Sequence, residues 1–377
     1  MTDTPLKIVS IIPYKVLPAK LGGEKGIALF TEYLGRRIPL TAISTRNNST
    51  STPRSYGLLN LLSNARIRYA NLFLFFTIRN ILKKENATHL LIEHPYYGWL
   101  AYLLKKSFPV TWVVHSHNIE YMRSKSIGRW WWKVLEWYET WVYKKADINF
   151  FISEDDRKHA TQVLRIDGNK SFEITYGVEQ PGLPDDADAA RREIRQLHRI
   201  AENEIILLYN GALYHHSNYD AVTVITEKIN PLLLQNAFRY KIIICGKGLP
   251  TFFRELKEFE NSNIIYAGFV DDINIYFKAA DIFLNPILSG GGVKTKAIEA
   301  ISMNCTVVST SFAATGIHQE VCGEKLQVVP DHDWGLFAEK IINVSEKQSY
   351  TPHSFYDYYY WDSIAKKVET VLKGHHA

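Results

Sequence analysis

Short apolar runs recur along the whole chain, and amphipathic stretches separate them. The runs are rich in β-branched and aromatic residues, a pattern typical of strands buried on both faces. The predicted strands are residues 7–12, 88–93, 110–115 and 148–153 in the first half, and 204–210, 241–246, 263–268, 281–286 and 305–310 in the second. The stretches 219–235 and 294–303 predict helices between strands. Strands that alternate with helices indicate an α/β protein with parallel sheets.

The length of 377 residues exceeds what one hydrophobic core usually supports, so we predict two domains. Residues 1–177 and 204–352 each have the pattern of a Rossmann-like domain. Residues 178–203 have no strand pattern and contain two prolines and a charged helical stretch, which predicts a linker. Residues 353–377 predict a final amphipathic helix, and we expect it to pack back toward the first domain.

The composition describes a soluble globular protein, with 46% hydrophobic and 22% charged residues. A net charge of +5 fits an anionic ligand or an anionic membrane surface and is too small to indicate nucleic acid. The three cysteines form no CxxC pair, which favours a reducing compartment. There is no signal-peptide pattern and no apolar run long enough to span a bilayer, so we expect a cytoplasmic protein.

One segment combines a strand end, three consecutive glycines and a helix start, and it reads NPILSGGGVKTKAIEAISMNCTVVST (285–310). The glycines at 290–292 allow the backbone to approach a ligand closely. The helix is predicted to begin near Val293, where its free N–H groups suit a diphosphate. Lys294 and Lys296 add positive charge. Glycines alone would fit an ordinary solvated loop, but this combination favours a phosphate-binding site.

The segment GGGVKTKAIEAISMNCTVVSTSFAATGI resembles the donor-binding signature of family-4 retaining glycosyltransferases, in the subgroup written GGGxxxKxxEAxxxxxPVVxT. YNGALYHHSNYDAV, KIIICGKG and NIIYAGFVDDINIYFKAADIFLNP match in order before it, and HNIE and ADINFFISEDD match in the first half. The resemblance implies the GT-B fold, in which two Rossmann-like domains with parallel sheets face each other across a cleft. It also implies a hexosyl- or related glycosyltransferase that uses a nucleotide-diphosphate sugar.

The resemblance implies roles for individual residues. Glu299 matches the glutamate that binds the donor ribose, and Lys294 is the implied contact to the departing diphosphate, with Lys296 behind it. His117 matches the first-domain histidine that contacts the transferred sugar. The other implied donor-binding residues are Gly211, Phe269, Val270, Gly291, Gly292 and Val293.

A second pair of glycines follows the first predicted strand. Gly22 and Gly23 match the family's loop near the donor phosphate and the acceptor, ahead of a helix that we predict to begin near Lys25. As bare glycines they also fit a simple turn.

The chain departs from the commoner family pattern at three positions. Many members carry a glutamate where this chain has Gly291, and an arginine and a lysine where it has Ala212 and Asn218. Those cations neutralise the leaving diphosphate, and loss of a diphosphate without compensation is costly. We expect Lys294 and Lys296 to take over this task.

Two Asp-x-Asp triplets have the spacing that metal-dependent glycosyltransferases use. We interpret both triplets, 186–188 and 331–333, as helix caps, because neither follows a predicted strand that would face the cleft. The prediction is therefore no metal and no cofactor, with the nucleotide sugar as co-substrate.

The stretch GRWWWKVLEWYETWVYKKA (128–146) combines tryptophans with lysine and arginine, a composition that suits a membrane interface. The same pattern fits aromatic side chains that pack one helix against its own domain. We expect a cytoplasmic enzyme, with contact to the inner face of a membrane through this stretch as a further hypothesis.

These observations together predict a retaining transferase that moves a sugar to a glycan or lipid-linked acceptor, in the biosynthesis of a surface polysaccharide or glycoconjugate. Two alternatives stay open. One is a nucleotide-sugar epimerase of the same fold, which would need no acceptor. The other is a catalytically silent subunit that binds nucleotide sugar. A dehydrogenase is disfavoured because the first loop is not GxGxxG.

Overall fold

The computed structural model describes residues 5–19, 22–49, 53–259 and 263–375. The chain divides into two compact units. The first unit comprises Met1–Gly177 and Trp361–Ala377, and the second comprises Val178–Tyr360. Each unit contains a parallel β-sheet with helices packed on it, so the predicted α/β fold class is confirmed.

The first unit contains a seven-stranded sheet in the order β3-β2-β1-β4-β5-β6-β7. Its strands are β1 (Ile8–Ile11), β2 (Leu40–Thr45), β3 (Gly57–Leu62), β4 (His89–Glu93), β5 (Thr111–Ser116), β6 (Ile148–Phe151) and β7 (Ser171–Glu173). The sequence pattern missed β2, β3 and β7. The edge strand β3 is mostly exposed or half-buried, and β7 has three residues, so neither shows a long apolar run.

The helices of the first unit are α1 (Gly22–Gly35), α2 (Leu74–Glu85), α3 (Gly98–Ser107), α4 (Glu120–Ser126), α5 (Trp132–Lys145), α6 (Glu154–Gln162) and, from the end of the chain, α16 (Trp361–Gly374). Leu74, Ile78 and Leu82 repeat every four residues along α2 and point into the core. The side chains of α3 and α5 complete the same core.

The final helix of the chain is part of the first unit and packs against α1. The Arg37 guanidinium lies 2.6 Å from the Asp362 carboxylate and 3.4 Å from that of Glu369. Gly177, the last residue of the first stretch, touches Trp361 closely enough that a Cβ there would lie 2.5 Å from the indole ring. The chain therefore returns to this unit after the second unit ends.

The second unit contains a six-stranded sheet in the order β10-β9-β8-β11-β12-β13. Its strands are β8 (Ile205–Asn210), β9 (Tyr240–Cys245), β10 (Ile264–Gly268), β11 (Ile282–Asn285), β12 (Thr306–Thr310) and β13 (Leu326–Val329). The first five lie where the apolar runs predict them. The sequence pattern missed β13, an edge strand whose central residues are only half-buried.

The helices of the second unit are α7 (Ala187–His198), α8 (His216–Val224), α9 (Asn230–Leu234), α10 (Ile273–Ala279), α11 (Thr295–Ser302), α12 (Ser311–Ala314), α13 (Gln319–Cys322), α14 (Trp334–Ser345) and α15 (His353–Tyr359). A π-helical turn over Ile225–Ile229 joins α8 to α9, so the stretch predicted as one helix over 219–235 is continuous but contains a widened turn.

Two segment boundaries differ from the sequence interpretation. Residues 178–203, treated above as a linker, lie within the second unit, where α7 packs on α10 and the Arg191 guanidinium lies 2.7 Å from the Asp281 carboxylate. The last segment is two helices rather than one, because Tyr360 adopts extended backbone and its neighbour pairs with the chain at Val178. Of these two helices, α15 belongs to the second unit and α16 to the first.

None of the helices within the described residues has the length and hydropathy needed to cross a bilayer.

Candidate active site

Three loops of the second unit meet at the carboxyl ends of β8, β9 and β10. The N–H of Gly211 donates to the Cys245 carbonyl (3.0 Å), and the N–H of Gly246 donates to the Gly268 carbonyl (2.6 Å). Gly246 has φ +140°, and a Cβ on it would lie 1.9 Å from the Gly211 carbonyl oxygen. Only glycine fits there, because any side chain would collide with the backbone of the neighbouring loop.

The triglycine loop follows β11 at the same edge of the sheet. Gly290 and Gly292 have φ of +95° and +72°, which explains why glycine is needed at both. A Cβ on Gly290 would lie 3.6 Å from the Ser217 hydroxyl, at the beginning of α8. The loop therefore adjoins the segment that follows β8. The helix begins at Thr295 rather than near Val293.

Both predicted lysines lie at the beginning of α11. The Lys294 ammonium donates to the carbonyl oxygens of Gly292 (3.0 Å) and Gly291 (3.4 Å) and lies 5.1 Å from the centre of the Phe312 ring. The Lys296 ammonium donates to the Asn210 carbonyl (2.9 Å), so it points toward the end of β8.

Burial lowers the pKa of both Lys294 and Lys296 to about 8. Glu299, one turn further along α11, partly offsets this effect at Lys296. A half-buried ammonium without full compensation favours an anionic ligand, because the anion supplies the missing charge. This part of the sheet edge is therefore suited to a diphosphate.

The positions where the family's commoner pattern has cations contain neutral side chains. The Asn218 amide donates to the Ala212 carbonyl (2.9 Å), and a Cβ on Gly211 would lie 3.1 Å from the Asn218 side chain. Asn218 therefore holds the loop after β8 through a hydrogen bond and adds no charge there.

The loop after β10 carries the other two predicted donor residues. Phe269 is 67% exposed and Val270 is half-buried, directly after the strand end at Gly268. Asp272 caps α10 by accepting from the Asn274 N–H (2.9 Å).

In the first unit, His117 lies in a buried cluster at the carboxyl ends of β4 and β5. Its Nε2 lies 2.6 Å from Oε2 of Glu93, and Nδ1 of His115 lies 3.0 Å from the same oxygen. Burial alone would raise the pKa of Glu93, but the two imidazoles outweigh it and hold the pKa at about 2. Burial lowers the pKa of His117, and the charge of His115 lowers it further. The Glu93 carboxylate has the opposite effect but does not outweigh them.

A second group of side chains extends this cluster, and of its members only Glu120 was a candidate from the sequence, as a second choice after His117. Nε2 of His94 lies 2.8 Å from the Tyr14 hydroxyl, and the His94 ring stacks on Tyr96 at 5.1 Å. Nδ1 of His94 lies 3.8 Å from the Glu120 carboxylate. His94 has φ +65°, a strained value for a non-glycine residue that is often found at functional sites.

These side chains line a polar pocket of about 590 Å³ within the first unit. Its lining includes Tyr14, Lys15, Gly23, Glu24, Asn47, His94, Tyr96, Asn118, Glu120 and Arg123. Gly22 and Gly23 are the first residues of α1, so the helix begins three residues before Lys25 and the glycines lie in it rather than in a preceding loop.

A signal for the missed residues was present in the sequence. Glu93 is the last residue of a buried strand, His94 follows it directly, as His117 follows β5, and polar residues at that place are candidates for a ligand site. Tyr14 carries no comparable signal, because it lies three residues beyond the end of β1.

The Asp-x-Asp triplets have structural partners. Asp333 caps α14 by accepting from the Leu336 N–H (3.0 Å), and Asp331 accepts from the Phe312 N–H (2.9 Å). Asp186 precedes α7 and lies 2.7 Å from the Lys278 ammonium.

Within the described residues, one group has the side-chain atoms of a metal site, namely Glu93, His115 and His117. Its ligand atoms lie within 4.8 Å of one another. Around a tetrahedral zinc ion, ligand atoms would be separated by roughly 3.3 Å. Nε2 of His117 hydrogen-bonds to Glu93 at 2.6 Å, and Nδ1 of His115 lies 3.0 Å from the same oxygen without the geometry of a hydrogen bond.

Two parallel-sheet, Rossmann-like units with ligand loops at the carboxyl ends of their strands define the GT-B class of fold. The family model described as "Glycosyl transferases group 1" matches residues 204–347, and the model described as "Glycosyltransferase Family 4" matches residues 22–179. Together the two matches cover most of the chain. The protein therefore belongs to the group 1 glycosyltransferases of family 4, as its sequence motifs predict.

Among curated proteins, the chain is similar to an uncharacterised 44.6 kDa protein in the cps region of Klebsiella pneumoniae, with 29% identity over 149 residues. The matched segment spans 38% of each chain.

Several solved structures share the fold over nearly the whole chain. Sucrose-phosphate synthase from Thermosynechococcus elongatus has a TM-score of 0.72 at 14% identity, covering 98% of both chains. HepE from Anabaena, solved with UDP, has a TM-score of 0.71 at 11% identity, covering 98% of this chain and all of HepE. WaaG, a glycosyltransferase involved in lipopolysaccharide biosynthesis, has a TM-score of 0.61 at 14% identity, covering 96% of this chain and 95% of WaaG.

Proposed function

We propose that this protein is a retaining glycosyltransferase that uses a nucleotide-diphosphate sugar and needs neither metal nor cofactor. The observation that carries the proposal is the cationic edge of the second unit. Lys294 and Lys296 lie at the beginning of α11, beside a glycine loop that leaves backbone accessible. Glu299 lies on the same helix, where it can bind the hydroxyls of a ribose.

In the proposed reaction, the bond between the anomeric carbon and the diphosphate oxygen breaks, and the electron pair leaves with the diphosphate. The acceptor hydroxyl attacks from the same face of the sugar and transfers its proton to the departing diphosphate oxygen. The lysines stabilise the charge that develops on that oxygen, so catalysis is positioning plus electrostatic stabilisation. His117 would hold the sugar through a hydrogen bond, with its orientation set by Glu93.

For the donor and the acceptor we propose classes of compound rather than individual molecules. HepE has been solved with UDP-glucose and with UDP and glucose, which supports a uridine-diphosphate sugar as the first donor to test. The role of WaaG in lipopolysaccharide biosynthesis and the cps-region relative support a glycan or lipid-linked acceptor in surface polysaccharide biosynthesis. We place the reaction in the cytoplasm, at the inner face of the membrane.

A thermal-shift panel of nucleotides and nucleotide sugars tests the donor site, since a ligand that binds the native state raises the melting temperature. We expect a nucleoside diphosphate to raise it in the wild type, in the presence of a chelator, and to lose most of this effect in Lys294→Met and Glu299→Gln. Lys347→Met is a matched control, because Lys347 is an exposed lysine of the same unit. Equal shifts in all four proteins would refute this donor site.

A second candidate is a subunit that binds nucleotide sugar without turning it over. It is favoured by the neutral pair Asn218 and Ala212, where family members carry cations. Purified protein that binds donor but neither transfers sugar to any acceptor in a glycan panel nor hydrolyses the donor would favour this alternative. Release of nucleoside diphosphate together with a product that keeps the anomeric configuration of the donor supports the retaining transferase. Conversion of the donor sugar without an acceptor would instead support an epimerase.

A further inference from the structure

Exposed apolar side chains of the first unit are concentrated in two segments, 66–76 and 127–137. Their large exposed members are Ile67, Leu72, Phe73 and Phe76 in the first segment and Ile127, Trp130, Val134 and Trp137 in the second. Phe73 is 79% exposed and Trp130 is 88% exposed. Contiguous exposed apolar surface of this kind marks an interaction site more often than it marks a free surface.

Core packing does not account for these side chains, because other residues of the same segments fill the core. Leu74 is buried in α2, and Phe75 packs on the core beside it. In α5, Leu135 and Tyr138 pack against the core, whereas Val134 and Trp137 do not. Each segment therefore has one apolar face directed inward and a second directed to solvent. One face of the tryptophan-rich stretch therefore packs against its own domain, as one of the two interpretations of its sequence predicts.

The two segments lie on either side of one residue at the beginning of α3. The Trp99 indole N–H donates to the Tyr69 carbonyl (3.0 Å), and the Trp99 backbone N–H donates to the Tyr138 hydroxyl (3.1 Å). Tyr69 belongs to the first segment and Tyr138 to α5, the helix that contains the end of the second. Helix α3 also contacts both α2 and α5 and adds Leu103 as an exposed apolar side chain. The exposed faces are therefore neighbours in space.

The excess of positive charge in these segments indicates an anionic partner. Residues 63–84 contain five arginines and lysines and no aspartate or glutamate, and residues 121–137 contain four arginines and lysines and one glutamate, Glu136. The basic groups lie among the aromatic rings. The Lys125 ammonium is 4.8 Å from the centre of the Trp132 ring, and the Arg129 guanidinium is 5.3 Å from that of Trp131. Exposed aromatic and aliphatic side chains with a clear excess of cations among them fit an anionic lipid surface.

We propose that segments 66–76 and 127–137 form one docking surface, and that this surface binds a bilayer containing anionic phospholipid. The aromatic side chains enter the headgroup region, and the flanking arginines and lysines contact lipid phosphates. Membrane binding of this kind would bring the proposed transferase to a lipid-linked acceptor. Only this purpose rests on the proposed function. Binding to the bilayer itself requires no turnover.

Vesicle flotation with the full chain tests the proposal. The vesicles are phosphatidylcholine alone, or equal parts of phosphatidylcholine and phosphatidylglycerol. Three variants are compared with the wild type, namely Phe73→Ser/Phe76→Ser, Trp130→Ser/Trp137→Ser and the combination of all four changes. Leu197→Ser/Leu234→Ser is the matched control, because both leucines are exposed in the second unit. Circular dichroism and the thermal shift by a nucleoside diphosphate verify that each variant is folded and binds donor.

We expect the wild type and the control to float with the anionic vesicles and to remain unbound with phosphatidylcholine alone. Each double variant should bind on the order of tenfold more weakly, because each loses two inserted aromatic side chains. The quadruple variant should lose binding, and raised salt should weaken binding of the wild type to the anionic vesicles.

Retained binding in a folded quadruple variant, or no binding of the wild type to anionic vesicles, would overturn the proposal. A concentration-dependent dimer of the wild type that the quadruple variant abolishes, without vesicle binding, would overturn it in favour of a second copy of the chain. None of these outcomes depends on transferase activity, and failure of donor binding would not affect them.

Discussion

The Lys296 ammonium donates a hydrogen bond to the backbone carbonyl of Asn210, 2.9 Å away. This contact joins the first turn of α11 to the end of β8, although 86 residues separate the two in the sequence. It places a second ammonium behind Lys294 at the carboxyl edge of the sheet. Because burial disfavours both charges, the lysines are poised to bind an anion.

Lys294→Met should lower the rate of sugar transfer by about 10²-fold or more, since one donor that stabilises developing charge commonly contributes that much. Its side chain hydrogen-bonds only to its own loop among the contacts described, so we expect the melting temperature to change little. Steady-state kinetics with saturating donor measure the effect. Wild-type kcat in Lys294→Met, with Lys347→Met as the control, would remove Lys294 from the reaction.

Donor affinity should depend on pH through these lysines. Their pKa in the free protein is about 8, and a bound diphosphate raises it because the anion favours the charged form. The contribution to binding is therefore fully present below pH 8, and it is lost as the pH rises through the pKa of the complex. Nucleoside-diphosphate titrations between pH 7 and pH 10 measure this effect, with proton uptake near pH 8. A double variant, Lys294→Met/Lys296→Met, should bind weakly and without this dependence, whereas an unchanged profile would contradict the assignment.

Gly246→Ala should disrupt the packing of the loops at the carboxyl ends of β8, β9 and β10. A Cβ there would lie 1.9 Å from the Gly211 carbonyl oxygen, and the φ of +140° excludes most side chains. We expect the free energy of unfolding to fall by roughly 3 kcal/mol, measured by urea denaturation. Gly182→Ala is the matched control, because nothing lies within 4 Å of its added Cβ, and it should change stability by no more than about 0.5 kcal/mol. Similar stability of the two variants would mean that the loops are not packed as described.

Glu93→Gln should remove the negative charge that holds His115 and His117 while keeping a side chain of nearly the same volume. Replacing a buried carboxylate that lies beside two imidazoles should lower the free energy of unfolding by about 3 kcal/mol. If Glu93 orients His117 toward the sugar, kcat should fall further than donor affinity. Parallel denaturation, kinetics and nucleotide titration separate these effects. Loss of donor affinity equal to the loss of kcat would indicate a general loss of structure rather than a positioning role.

Chelation should leave transfer unchanged if the lysines of α11 take the place of a divalent ion. The measurement is the initial rate after dialysis against EDTA, together with the metal content of the purified protein. The group Glu93, His115 and His117 makes this informative, because its atoms are those of a metal site. Activity that is lost on chelation and restored by one added metal would contradict the metal-independent mechanism.

The sequence by itself determined the class of fold and the donor segment. Buried parallel strands are nearly continuous apolar runs, so nine of them are readable without any tertiary information. The glycines and lysines of 290–296 lie next to one another in the chain, and local spacing suffices to recognise them. The family match over residues 204–347 includes this segment.

The tertiary structure decided what depends on contacts between distant residues. Tyr14, His94 and Glu120 meet in one pocket because β1 and β4 are neighbours in the sheet and β5 lies next to β4, an order that periodicity does not reveal. The assignment of 178–203 to the second unit, and the division of the last segment into α15 and α16, likewise depend on packing partners far away in sequence. Short or half-exposed edge strands were missed for the same reason, since their hydrogen-bonding neighbours rather than an apolar run make them strands.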